Sequence, residues 1–409
     1  MRFRRYDAER DNQALHRLWR GIGWLQEAKE ETMDLFIASG RALVAEVDGE
    51  AESLSASVPG TISYLGQELP LSAVTSVGTS RRVRGQGLAR CLTAELVAAD
   101  VAEGALVSAL GMFEQGFYDQ LGFGTGSYEN WITFDPAQLK VENAARVPRR
   151  LTADDWQLVH RARLERRRVH GSCNLLPPEV TESELRRTPN GFGFGYHDSS
   201  ASRITHCFWC WTREPLHGPY HVSFLAYQTW EQLLELLAVF KNLRDQVWLV
   251  RLREPPGLQF QDLLEQPFRR HGVSQRTDFE TSMRAVAYWQ MRVCDVAACL
   301  ACTRLTGGDV RFNLRLSDPI ERFLDEGAPW RGISGDYVVT LGRSSGARPG
   351  TDQTLPTLKA SVGAFTRMWL GVRPASSLAV TDDLSAPQEL LEELDGVLCL
   401  PQPRWDWDF

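Results

Sequence analysis

The 409-residue chain contains no run of about 18 apolar residues, so no segment reads as a membrane-spanning helix. Its eight histidines are scattered and form no His-Glu-x-x-His pair; His217 and His221 flank Gly218-Pro219 and so do not share a helix face. No Gly-x-Ser-x-Gly elbow occurs, and no cysteine has a recognisable base partner, which removes the common nucleophilic hydrolases. Basic excess is also missing. The formal charge is −7, which argues against a general nucleic-acid binder and suits a cationic ligand. The one basic run, Arg163–Arg168, reads as a solvated helix face. Met1-Arg2-Phe3-Arg4-Arg5-Tyr6-Asp7 is charged and no apolar segment follows it, so a cytoplasmic protein with neither membrane nor nucleic-acid partner is expected.

Cysteine is sparse as well. Cys207/Cys210 and Cys299/Cys302 have the C-x-x-C spacing of a four-thiolate zinc site. Cys207 and Cys210 lie in an apolar, strand-like run, where residues three apart face opposite sides. Neither pair sits on a Gly-containing turn, so ordinary reduced thiols are the favoured reading and no metal is expected.

What is present is a chain long enough for two or three domains, with 43% hydrophobic and 24% charged residues. The first third alternates helix and strand. A helix over Asp11–Trp24 carries Leu15, Leu18 and Trp19 on one face. Strands are predicted over Ala42–Val47, Leu54–Tyr64 and Leu69–Val77, then a basic Gly-containing loop, a helix to Ala102, a strand Ala105–Leu110, a short helix Phe113–Leu121, and Tyr128–Phe134 as the last strand of this unit. A second unit follows a linker near Asp135–Pro148. Its strands Ile204–Trp211, His221–Tyr227 and Val247–Leu252, with the helix Trp230–Leu243, repeat the order of the first unit without its Gly loop. A third unit begins near Ala285. The chain ends in Arg404-Trp405-Asp406-Trp407-Asp408-Phe409, too aromatic for a solvated tail, so it is expected to dock on an apolar surface.

The segment Ala73–Gly124 carries the chemistry. Thr75-Ser76-Val77 ends a strand, and Arg82-Val83-Arg84-Gly85-Gln86-Gly87 opens a helix at Leu88. Amides at a helix N-terminus lack intrahelical partners and carry partial positive charge, so they bind phosphate. Glycines let the backbone approach an anion closely, and Arg82 and Arg84 add charge. A Walker loop is excluded because Leu88-Ala89 follows Gly87; a dinucleotide fingerprint is excluded because position 90 is Arg. Gly85 and Gly87 alone are equally compatible with a plain strand-to-helix turn.

Arg82-x-x-Gly85-x-Gly87 after a strand, followed by Phe117-Tyr118-Asp119-Gln120-Leu121-Gly122-Phe123-Gly124, resembles the acyl-CoA signature and Phe-Tyr segment of the GNAT acetyltransferase superfamily. The length, Met291–Val296 at the entry to the third unit, and an aromatic C-terminus after an acid resemble the Eis (enhanced intracellular survival) family. That resemblance implies an α/β (α+β) fold: a GNAT domain with the CoA site over 1–140, a second GNAT-like mixed-sheet domain without the CoA loop over 148–285, and a sterol-carrier-protein-like α+β domain over 286–409. It further implies a homo-oligomer, a hexamer. Acetyl-CoA, the acyl donor, would wedge between two parting strands, with Thr75, Ser76 and Val77 on its pantetheine and Val83–Leu88 on its pyrophosphate. Tyr118 would be the general acid, and the terminal carboxylate of Phe409 the base or the anchor of the acceptor ammonium. Trp24, Glu27 and Asp408 would line the acceptor site.

The activity so implied is N-acetylation of a primary amine on a small cationic molecule: an aminoglycoside, a polyamine, or a peptide or lysine amine. Tyr118 also fits a core position, Trp24 and Glu27 a surface helix end, and the tail a docked segment without chemistry. The rival class is a non-catalytic acyl-CoA or apolar-ligand binding or sensor protein. Met112-Phe113-Glu114 stands where the family has a small polar run, so Phe113 is expected to alter how the pantetheine arm or the acceptor packs.

Overall fold

A computed structural model describes residues 2–25, 29–142, 146–197, 202–266 and 280–409. It is a mixed α/β fold with three sheets among the described residues. None of its helices is long and apolar enough to cross a membrane, among the described residues.

The first sheet is built on a long antiparallel hairpin, Glu50–Tyr64 with Gln67–Thr79. The helix Ala8–Ile22 packs on it through Leu15, Leu18 and Trp19, as the spacing predicts. Leu18 and Ile22 reach within 3.1 and 3.3 Å of the place where a side chain on Gly78 would begin, so a larger residue there would press the helix outward. Val107–Gly111 runs parallel to the second hairpin strand, joined by the helix Leu88–Ala102 in a crossover unit.

Two expectations fail here. The helix expected over Phe113–Leu121 is only a 3₁₀ turn at Tyr118–Leu121, because Gly116 takes φ +92° and breaks the helical path. More consequentially, Glu129–Phe134 is not the last strand of the first sheet. It lies in the second sheet, between Val250–Arg253 and Ser282–Val286. Its place beside Val107–Gly111 is taken by Trp289–Val293, from the opening of the third unit. Local pattern identifies a strand but not its partner. All five residues of Trp289–Val293 are buried, as suits a position covered on both faces, whereas Glu129–Phe134 alternates. The helix Val362–Trp369 covers Trp289–Val293, so the third unit shares one apolar core with the first.

The second sheet repeats the expected order: Ile204–Trp211, Tyr220–Ala226, the helix Trp230–Asn242, then Val250–Arg253 parallel to Tyr220–Ala226. Cys207 and Cys210 sit in one strand and enter cores on opposite faces of this sheet. The third sheet centres on Val310–Ser317, antiparallel to Gly335–Leu341 and parallel to Thr357–Ser361.

Candidate active site

The first two strands of the crossover unit part. Leu71–Val74 pairs with Val107–Leu110, and the pairing stops there. The cause lies next door: between Leu54 and Ala56 the hairpin register slips, and Ser76 adopts φ +53°, unusual for a residue with a side chain. This bulge turns Thr75-Ser76-Val77 away from the neighbouring strand.

The opening continues into a cavity of about 640 Å³ walled by Val77, Gly78, Val83, Arg84, Gly85 and Gly87 on one side and Trp24, Phe113, Glu114 and Tyr288 on another. Leu88 also lines it; Thr75, Ser76, Arg82 and Gln86 do not. Gly85 and Gly87 take φ +84° and +76°, and Gly87 is the N-cap of Leu88–Ala102 without any side-chain cap. The first paired amides are those of Arg90 and Cys91, both donating to the Gly87 carbonyl, at 3.1 and 3.2 Å. Among the described residues the amides of Gly85 through Ala89 have no acceptor. The equivalent helix of the second unit is closed by a capping box, Thr229 with Gln232. Of these two equivalent helices, Leu88–Ala102 is the one that presents an open anion cradle. These residues fit the pyrophosphate of a CoA donor: unpaired amides, glycines with free space over Gly85, and two arginines at the rim.

The arginines divide differently from expectation. Arg82 is committed to Asp48 and, at 2.7 Å, to Glu52, so its charge is offset and it holds the loop in place. Arg84 and Arg90 line the cavity. Arg90 entered the sequence argument only as the residue that breaks a dinucleotide fingerprint, yet its guanidinium lies over Phe323 and bonds Gln120. Gly85→Ala is expected to weaken acetyl-CoA binding on the order of tenfold, since a left-handed non-glycine costs about 1–2 kcal/mol and crowds the cradle. Isothermal titration checks this, against a thermal melt that reports the fold.

Tyr118 is 2% exposed, with its ring edge-on to Phe117 and Phe123 at 4.8 and 6.1 Å. Burial, with a smaller contribution from Tyr288, pushes its phenol well above the ordinary value, so it holds its proton at neutral pH. No hydrogen bond holds its hydroxyl among the described residues.

The tail docks as expected. Trp405 stacks on Trp289 at 4.8 Å, and Trp407 is buried under Arg163 at 3.8 Å. Asp406 pairs with Arg166 and accepts from the Cys173 amide at 2.9 Å. Arg404 N–H donates to the His170 carbonyl at 2.8 Å. Phe409 rests on Trp405, and its main-chain oxygen lies 3.7 Å from the point where a side chain on Gly111 would begin. The Tyr288 ring approaches the same point at 3.2 Å, while its carbonyl accepts from Met112 N–H at 2.7 Å. The C-terminus therefore reaches the last residue of the strand that parts from Thr75–Val77. Asp408 is held by Arg253, whose Nη2 donates at 2.5 Å.

Trp24 and Phe113 face the cavity, both exposed, so Phe113 does shape its wall. Glu27 lies outside the described residues. Tyr288, Arg253 and Gly111 carry no motif and were missed; an exposed tyrosine beside a strand is the only signal the chain offers for the first of them.

Residues 4–126 match the profile of the acetyltransferase (GNAT) domain, so the chain carries such a domain there; domains of this type use acetyl-CoA. No curated protein matches the chain in sequence. Several solved structures match along the whole chain. A probable N-acyltransferase from Enterococcus faecalis V583 is 17% identical, with a TM-score of 0.79, covering 100% of this chain and 99% of that one. A GCN5-related N-acetyltransferase from Anabaena variabilis is 14% identical, with a TM-score of 0.77 and 99% of each chain covered. Eis1 from Mycobacterium abscessus is 18% identical, with a TM-score of 0.76 and 100% of each chain covered. At these identities the likeness is one of fold.

Proposed function

We propose that the acetyltransferase domain at residues 4–126 serves an N-acetyltransferase that acts on a primary amine of a small cationic acceptor: an aminoglycoside, a polyamine, or a peptide or lysine amine. The single observation that carries this is the open amide cradle beside two parting strands; the buried Tyr118, packed in one core cluster with Val74, Val77 and Leu110, and the docked C-terminus at Gly111 support it. The whole-chain fold shared with Eis1 supports an Eis-like assignment, with the third unit a sterol-carrier-protein-like domain that delivers the tail. By the same resemblance the enzyme is a homo-oligomer, a hexamer, and its charged N-terminus supports a cytoplasmic one.

The donor supplies an activated acetyl thioester; the protein supplies position and proton control. Amides of Gly85–Leu88 hold the donor's phosphates while Thr75–Val77 line its arm. The terminal carboxylate of Phe409 takes a proton from the acceptor ammonium, since only the neutral amine attacks. Tyr118, protonated at neutral pH, gives its proton to the departing sulfur and recovers one from the nitrogen.

CoA release from acetyl-CoA, followed across aminoglycosides, polyamines, amino acids and peptides with a no-amine blank, tests the proposal. Amine-dependent release supports it. Binding of acetyl-CoA with silence across the panel favours the sensor class instead, and absence of binding sinks the cradle assignment. Deleting Phe409 moves the terminal carboxylate by one residue, so kcat is expected to fall about 10²-fold at unchanged acetyl-CoA affinity.

A further inference from the structure

The two strands that part each carry a glycine at the opening, and an aromatic ring lies over each glycine. On one side, Cζ3 of Trp24 is 3.9 Å from the point where a side chain on Gly78 would begin. On the other, Cε1 of Tyr288 is 3.2 Å from the same point on Gly111, with the main-chain oxygen of Phe409 at 3.7 Å. Phe113, two residues beyond Gly111, adds a third ring to the wall of the same cavity. Trp24, Tyr288 and Phe113 are 44%, 52% and 63% exposed. They are three of the five exposed aromatic side chains among the described residues, so this surface is concentrated at one place. The backbone beneath two of the rings is held. Trp24 N–H donates to the Trp19 carbonyl at 2.9 Å, and the Tyr288 carbonyl accepts from Met112 N–H at 2.7 Å.

Negative charge is scarce around these rings. Arg84 and Arg90 line the cavity, and Glu114 is the one acid in its wall among the described residues. The acids behind the tail are already engaged: Asp408 and Glu129 both lie on Arg253, at 2.5 and 3.2 Å. One ammonium would be met by the terminal carboxylate of Phe409. Any further cation on the same molecule would find Glu114 alone. A sugar or polyamine body set against aromatic walls gives up water and gains few hydrogen bonds in return. A flat apolar body gains twice, by leaving water and by offset or edge contact with the rings.

We propose that the acceptor is a single primary amine on a flat apolar body, an arylalkylamine, and that Trp24, Tyr288 and Phe113 select it. This rests on the transferase reading and narrows its acceptor class. The ammonium end meets the terminal carboxylate beside Gly111, and the ring lies between Trp24 and Tyr288 at the strand opening. Phe113, the most exposed of the three, offers surface that the bound acceptor takes out of water. The selection is one of binding: the rings touch the apolar body and leave the reacting nitrogen to the groups named above.

The test sets 2-phenylethylamine, an apolar monoamine, against spermidine, a flexible polycation, in wild type, Phe113→Ser and Phe113→Tyr. Phe113 is 63% exposed, so both variants are expected to fold. In wild type, kcat/KM should favour 2-phenylethylamine by about tenfold or more. Phe113→Ser should cut that ratio by about tenfold, through KM rather than kcat, and Phe113→Tyr, which keeps the ring, should largely retain it. Titration of 2-phenylethylamine into enzyme saturated with CoA reads the same loss as a Kd about tenfold weaker in Phe113→Ser, and it needs no turnover. An active wild type that prefers spermidine, or a ratio and a Kd that Phe113→Ser leaves unmoved, overturns this proposal alone. A wild type that turns over no amine overturns it together with the transferase reading.

Discussion

Tyr118→Phe is expected to lower kcat by 10² to 10⁴-fold, the range for loss of a general acid, while acetyl-CoA binding stays within about twofold. The substitution removes one oxygen from a ring that is packed edge-on against Phe117 and Phe123, so the packing survives. No described residue loses a hydrogen bond, because the hydroxyl has no hydrogen-bond partner among them. Its phenol is held protonated by burial, so no alkaline limb from this group enters the physiological range. Single-turnover release of CoA, compared with acetyl-CoA affinity by titration, separates the acid step from binding. A variant with wild-type turnover would return Tyr118 to the core and require another proton donor; Tyr288, which lines the cavity, would be the next to substitute.

The second large effect concerns stability. Asp318→Ala is expected to destabilise the protein by about 3–5 kcal/mol, the cost of breaking a buried ion pair from one side. The side chains of Arg292 and Asp318 are both 0% exposed, with Nη2 to Oδ2 at 2.5 Å. Arg292 also bonds the Leu121 carbonyl, and Asp318 accepts from the Ile333 amide at 3.0 Å. Arg292 lies in the strand that the third unit inserts into the first sheet, and Asp318 follows the third unit's central strand. Removing the carboxylate leaves a buried guanidinium without its counter-charge at that junction. Replacing both partners, as Arg292→Met with Asp318→Ala, should recover much of the loss, because neither charge then remains buried alone. Urea melts of the two variants decide the matter; equal losses would mean that packing, not charge, governs the junction.

Much of the candidate site was legible before any coordinates because it is contiguous. The cradle needs only a strand end, two glycines in left-handed conformation and a helix without a capping side chain, all within Thr75–Leu88. Tyr118 came with its Phe-Tyr segment for the same reason, and the docking of the tail followed from its aromatic content. The fate of Arg82 was not legible: its partners Asp48 and Glu52 lie on a neighbouring hairpin, so its charge is spent on the loop. Nor did alternation along Glu129–Phe134 reveal that its neighbours are Val250–Arg253 and Ser282–Val286.

The amino-acid order by itself determined the open helix start with its two left-handed glycines and the buried Phe-Tyr segment, since helix termini and glycine dihedrals are short-range properties of the backbone. Only the tertiary structure decided what meets them. The exchange of Trp289–Val293 into the first sheet brings Tyr288 to Gly111, and the docked tail brings Phe409 to the same place. The strand placed in the second sheet sets Glu129 against Arg253 and Asp408. Those meetings join residues far apart in the chain, and they follow from which apolar faces bury one another, a long-range outcome that no local spacing records.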